Sequence, residues 1–222
     1  YKPVPLTKIN VYFISGFGNG TLSANRVYDT SPVGTEAYAI AKTFDNNFIV
    51  SGAYGPGIPG NNSDFYLLKV DPFFGDTLWT RTYDYSLNDA GMAVQQTADS
   101  GFIVAGYARN TITTYNIYLM KTDLNGDTQW TKFFNDTLTS GAYSVYQTND
   151  GGYFICGVKA PTGGYILRTD DFGNVIWERH FGNLINPNHA YYGKQTKDGG
   201  YIVSGIGAIG NKVGAYIIKL DS

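Results

Sequence analysis

Cysteine is all but missing from this chain: Cys156 stands alone among 222 residues, so no internal disulfide framework exists, and such scarcity is merely compatible with export. Histidine is nearly as rare. The two present, His180 and His189, share no local metal spacing with an acidic or thiol residue, which gives little support to a His-based metal or catalytic site. Charge is sparse and balanced, 16 basic against 18 acidic residues with no Lys/Arg cluster, so the positive field that gathers phosphates is missing and nucleic acid is not an expected partner. No apolar run approaches the roughly 20 residues that span a bilayer. The opening YKPVPLTKIN has neither a methionine nor a signal-peptide core, and reads as the start of a soluble, processed or trimmed piece without a transmembrane segment.

Glycine and aromatics are abundant instead, with 28 Gly, 19 Tyr and 16% aromatic residues, a composition of strands and tight turns with almost no helix. Four segments superpose: TFDNNFIVSGA from Thr43, TADSGFIVAGY from Thr97, TNDGGYFICGV from Thr148 and TKDGGYIVSGI from Thr196, at spacings of 54, 51 and 48 residues. Each is followed by a second block: YLLKVDPFFGDTLWTRTY from Tyr66, YLMKTDLNGDTQWTKFF from Tyr118, YILRTDDFGNVIWERHF from Tyr165 and YIIKLDS from Tyr216. Trp79, Trp130 and Trp177, the only tryptophans, share one column.

Each unit reads as four short strands in an antiparallel meander, with an Asp-Gly-Gly-like turn before an apolar second strand and a Gly-Asp or Gly-Asn turn before the fourth. A period near 50 residues, and a second strand apolar on both sides, fit an all-β fold, a β-propeller of four-stranded blades. A β-helix has shorter repeats, and a Greek-key sandwich does not require consecutive near-identical units. One domain over 1–222 is expected, with units at about 34–88, 89–140 and 141–188 and partial units at 11–33 and 189–222, giving four or five blades in a ring that need not be complete. The strand SANRVYD near the N-terminus is a candidate to complete the last blade.

The pairing of DGGYIVSG (Asp198 to Gly205) with YLMKTDLNGDTQW (Tyr118 to Trp130) resembles the propeller repeats of large secreted and surface proteins of Gram-negative bacteria, many of them exported by the type IX route. The resemblance covers residues 11 to 222. It implies kelch-like blades carried as binding or spacing modules, a location outside the outer membrane, and no catalytic residue in the repeat itself. In the same organisms the DTL tripeptides at Asp76 and Asp136 look like a short O-glycosylation acceptor, which would modify Thr77 and Thr137.

Repeat columns separate site candidates from architecture. Asp123, Asn125 and Asp127 place oxygen donors at alternate positions as calcium loops do, but the counterparts DPFFGD and DDFGN keep the turn and lose the middle donor, so a hairpin turn is the stronger reading. The acidic column Asp45, Asp99, Asp150 and Asp198 belongs to turns, and the basic column Lys69, Lys121, Arg168 and Lys219 to a repeated ion pair. Cys156 aligns with Ser51, Ala105 and Ser204 before Gly157, Gly52, Gly106 and Gly205, as a small packing residue.

What varies is the loops between second and third strands and between units. They offer Tyr54, Asn61, Asn62, Tyr85, Arg109, Tyr115, Asn186 and His189, amphipathic groups suited to a protein surface or a sugar. The expected function is non-enzymatic: a binding or scaffold module of a secreted or cell-surface assembly, engaging a protein through these loops or the blade edges. The alternative is a carbohydrate-binding propeller or a polysaccharide-active enzyme, for which Asp64, Asp84 and Asp89 are the obvious loop acids.

Overall fold

A computed structural model describes residues 12–16, 22–27, 34–55, 63–72, 76–85, 87–109, 114–134, 139–161, 163–182, 188–209 and 212–221. Among them there is no helix and hence none long and apolar enough to cross a membrane. The strands are β1 (Tyr12–Gly16) and β2 (Leu22–Val27), then β3 (Thr35–Lys42), β4 (Phe48–Tyr54), β5 (Asp64–Val70) and β6 (Thr77–Tyr83). There follow β7 (Asp89–Gln96), β8 (Phe102–Arg109), β9 (Tyr115–Thr122), β10 (Thr128–Phe134), β11 (Ser140–Gln147), β12 (Tyr153–Lys159), β13 (Gly163–Thr169) and β14 (Val175–Phe181). The last are β15 (His189–Gln195), β16 (Tyr201–Ile209) and β17 (Lys212–Leu220).

Three four-stranded antiparallel meanders result, β3-β4-β5-β6, β7-β8-β9-β10 and β11-β12-β13-β14, then a three-stranded β15-β16-β17 and a hairpin β1-β2. The first-to-second turn repeats because Thr43, Thr97, Thr148 and Thr196 each donate a hydroxyl to the Asp two residues on, while the next residue takes a positive φ: Asn46 (65°), Ser100 (70°), Gly151 (90°) and Gly199 (84°).

Sheets stack face to face. Each first strand packs against the first, second and third strands of the sheet before it, so first strands of successive sheets lie together. The second strands β4, β8 and β12 are covered on both faces, and Ile49, Ile103 and Phe154 are fully buried. Glutamine bolts neighbours together: Gln96, Gln147 and Gln195, each ending a first strand, accept from the backbone N–H of Phe44, Ala98 and Asn149 in the preceding sheet's turn. The tryptophan column has the same purpose. Trp79, Trp130 and Trp177 on fourth strands lie 5.9, 5.8 and 5.7 Å from Phe102, Tyr153 and Tyr201, which open the second strand of the next sheet.

No closed ring is formed by the described residues. On β16 and β17 the face that another sheet would cover is open: Ile217 is 74% exposed, whereas Leu67 and Leu119 at the equivalent sites are fully buried. The candidate strand for completing the last unit does not join it among the described residues: β2 pairs with β1 in a separate two-stranded sheet, and the last sheet holds β15, β16 and β17 alone.

Candidate binding face

The repeated charges are absorbed by architecture. Lys69, Lys121, Arg168 and Lys219 reach Asp45, Asp99, Asp150 and Asp198 at 2.7, 2.8, 2.5 and 2.9 Å, each pair closing the end of the third strand onto the first turn of its own sheet. The acidic and basic columns are thus each other's partners. Burial works against ionisation of Asp45 and Asp99, but the lysine ammonium and the threonine hydroxyl outweigh it and hold both carboxyls below the usual range. At Asp150 the Thr148 hydroxyl is the main cause and the Arg168 charge adds to it; at Asp198 Thr196 and then Lys219 do the same.

Asp123, the first donor of the calcium-like loop, accepts the N–H groups of Asn125 (2.8 Å) and Asp127 (2.9 Å), and Asp170 accepts those of Phe172 and Asn174 in the matching turn. Asp127 itself faces Arg81 of the preceding sheet at 3.7 Å. Among the described residues no three His, Cys, Asp or Glu side chains converge as a metal-binding group. Cys156 is fully buried, and burial pushes its thiol up to about 12.

The loop candidates divide. Tyr85 is half-buried in the junction between the first two full sheets, stacked on Tyr83 at 6.3 Å and tilted on Tyr118 at 5.0 Å. Tyr54 packs on Tyr66 at 6.5 Å. Arg109 and Tyr115 come together across the β8-β9 loop, guanidinium 5.4 Å from the ring centre, and Tyr115 meets Tyr107 edge-on at 5.3 Å. His189 lies parallel to Tyr143 at 6.2 Å, with Tyr191 5.4 Å from Tyr143. Thr77 opens β6 and is exposed. Asn61, Asn62, Asn186 and Thr137 lie outside the described residues.

Of the loop acids, Asp64 has its carboxyl raised by burial first and then by the charges of Asp84 and Asp89, so the three share one neighbourhood. Asp89 is fully buried and accepts the N–H of Tyr85 at 2.8 Å.

Sequence reading of the loops passes over Tyr38, Tyr107, Tyr143 and Tyr191. Three of these occupy one column, four residues before Lys42, Gln147 and Gln195, and that spacing was the available signal. Tyr107 follows Gly106 of the small-Gly pair and has no aromatic counterpart in the other units.

No family model matches the chain, and no curated protein matches it. Among solved structures it is similar to one described as "Crystal structure of the eukaryotic initiation factor", at 11% identity and a TM-score of 0.38, over 97% of this chain and 62% of that one. The chain therefore spans less than two thirds of that protein's length, and a likeness so distant carries no functional argument.

Proposed function

We propose that the chain is a non-enzymatic binding or scaffold module built of propeller-type blades, serving an exported or cell-surface assembly of a Gram-negative bacterium and engaging another protein through its variable loops or sheet edges. One observation carries this reading: the four recurring Lys/Arg–Asp pairs are spent on closing each sheet, while Arg109 and Tyr115, which recur in no other unit, come together across the β8-β9 loop. The fan of sheets, with successive first strands together, supports the propeller form. The repeat's resemblance to surface propellers supports export and is the sole support for the type IX route.

Arg109→Glu with Tyr115→Ala tests the loop face. Wild-type protein incubated with outer-membrane fractions is expected to capture a defined protein by quantitative mass spectrometry, and the double variant, its circular dichroism unchanged, to lose it. Recovery of glycan without protein would replace this reading by the carbohydrate-binding one. Hydrolysis of a polysaccharide by the purified chain would overturn the non-enzymatic assignment.

A further inference from the structure

The first strand of every sheet is broken at the same place. Pairing steps from Ala37 to Ala39, Gly91 to Ala93, Ala142 to Ser144 and Ala190 to Tyr192 against consecutive residues of the second strand, leaving Tyr38, Met92, Tyr143 and Tyr191 as the extra residue of a β-bulge. The glycine of each small-Gly pair makes room for it: a Cβ on Gly52, Gly106, Gly157 or Gly205 would lie 1.7, 1.9, 2.1 or 1.9 Å from the carbonyl oxygen of Glu36, Ala90, Gly141 or His189. The most regular sequence signature of the repeat therefore serves a local break in the ladder. A bulge forfeits regular pairing and re-aims one side chain. What is re-aimed is large and adaptable in all four sheets, three tyrosines and a methionine.

Because successive first strands lie together, the four bulge positions follow one another across the stack as a row, and Tyr143 and Tyr191 meet at 5.4 Å. Tyr38 and Tyr191 are 41% and 46% exposed, and Met92 and Tyr143 are half-buried. His189 widens one end of the row, 5.8 Å from Tyr191 and parallel to Tyr143 within 8°. Tyr107 lies near the middle, its Cβ 3.7 Å from where a Cβ on Gly141 would stand. The charged groups beside the row are engaged: the Glu36 carboxylate accepts the Tyr38 hydroxyl, and the Arg109 guanidinium lies over Tyr115.

We propose that this row binds a neutral oligosaccharide chain. Ring faces suit the C–H surface of a sugar, phenol and imidazole edges exchange hydrogen bonds with its hydroxyls, and engaged flanking charges favour a neutral ligand over a polyanion. A row spread over several sheets matches a linear chain better than a single small molecule. The site rests on the binding-module reading, but, His189 apart, uses strand positions distinct from the loop candidates.

The purified chain is titrated calorimetrically with hexasaccharides of β-1,4-glucose, β-1,4-xylose, β-1,4-N-acetylglucosamine and α-1,4-glucose. At least one is expected to bind with a Kd between roughly 10 μM and 1 mM. Tyr143→Ala and Tyr191→Ala are each expected to weaken it roughly three- to tenfold, Tyr143→Phe to restore most of the loss, and Tyr192→Ala, a ladder residue paired with Ser204, to leave it unchanged. Should Tyr143→Ala fail to fold, Tyr191→Ala at the exposed rim still decides. No binding of any of the four, or binding indifferent to both alanine variants, overturns the proposal. Tyrosine-dependent binding of aromatic or proline-rich peptides in place of all four sugars also overturns it, as to ligand class. Loss of sugar binding with loop-dependent protein capture intact removes this site alone, whereas loss of both removes the module reading as well.

Discussion

At the scale of single residues, the lone cysteine is a matter of fit. A Cβ added to Gly193, on the first strand of the last sheet, would lie 2.4 Å from Cys156 Sγ. One sheet earlier the equivalent positions are smaller Ala105 and larger Val145, both in one core cluster. Cys156→Ala should cost about 1 kcal/mol, Gly193→Ala alone about 1–3 kcal/mol by overpacking, and the double variant less than the sum, measured by denaturant unfolding. The charge pairs are asymmetric in another way. Lys121 has 4% of its side chain exposed and Asp99 55%, so removing the acid strands a buried cation with only Thr122 O and the Gln129 side chain to accept from it. Asp99→Ala should cost about 2–3 kcal/mol and Lys121→Met about 1 kcal/mol. Since the folded pKa values of Asp45, Asp99, Asp150 and Asp198 are depressed, their contribution is complete above the unfolded Asp value of about 3.9 and is lost as pH falls below it. Thermal scans should accordingly show stability dropping under about pH 4, less steeply in Lys121→Met.

At the scale of elements, turns and strands of one sheet are shaped by the next. The third-to-fourth turn must carry glycine for two reasons at once: Gly126 and Gly173 have φ of 84° and 76°, and a Cβ on Gly173 would come within 2.9 Å of Trp130 in the preceding sheet. Gly173→Ala should therefore cost about 2–3 kcal/mol, more than the roughly 1–2 kcal/mol of backbone strain alone, and Trp130→Leu in the same chain should recover part of it in chemical denaturation. The recurrence of Trp and turn Gly was plain in the sequence. That one rests on the other was not, since the partners are 43 residues apart and meet only when sheets stack. Likewise the bulge could not be read from alternation, because an extra residue is visible only against its partner strand.

At the scale of the whole molecule, equivalent residues have different weight according to place in the stack. Leu119 lies between sheets and is fully buried, while Ile217 in the same column of the last sheet is 74% exposed. Leu119→Ala should cost about 3 kcal/mol and Ile217→Ala less than about 0.5 kcal/mol, with a common m-value if one cooperative unit unfolds. The opposite end differs too: the first full sheet has Lys42 where the other first strands have the bridging glutamine, so it lacks the acceptor that grips a preceding turn. Local chemistry determined the strands, their turns, the four-stranded meander and the identity of the repeating pairs, because each depends on neighbours a few residues away: hydroxyl on carboxylate, glycine or asparagine in a left-handed turn, apolar second strand. Only the tertiary structure decided that the acidic and basic columns close on one another, that each tryptophan clamps the next sheet, and that bulges set tyrosines in a row. The ion pairs and bulges join separate strands of one sheet and the tryptophan contacts join different sheets, so their free energy arises from burial and hydrogen bonding between groups that meet only once the chain has folded back on itself.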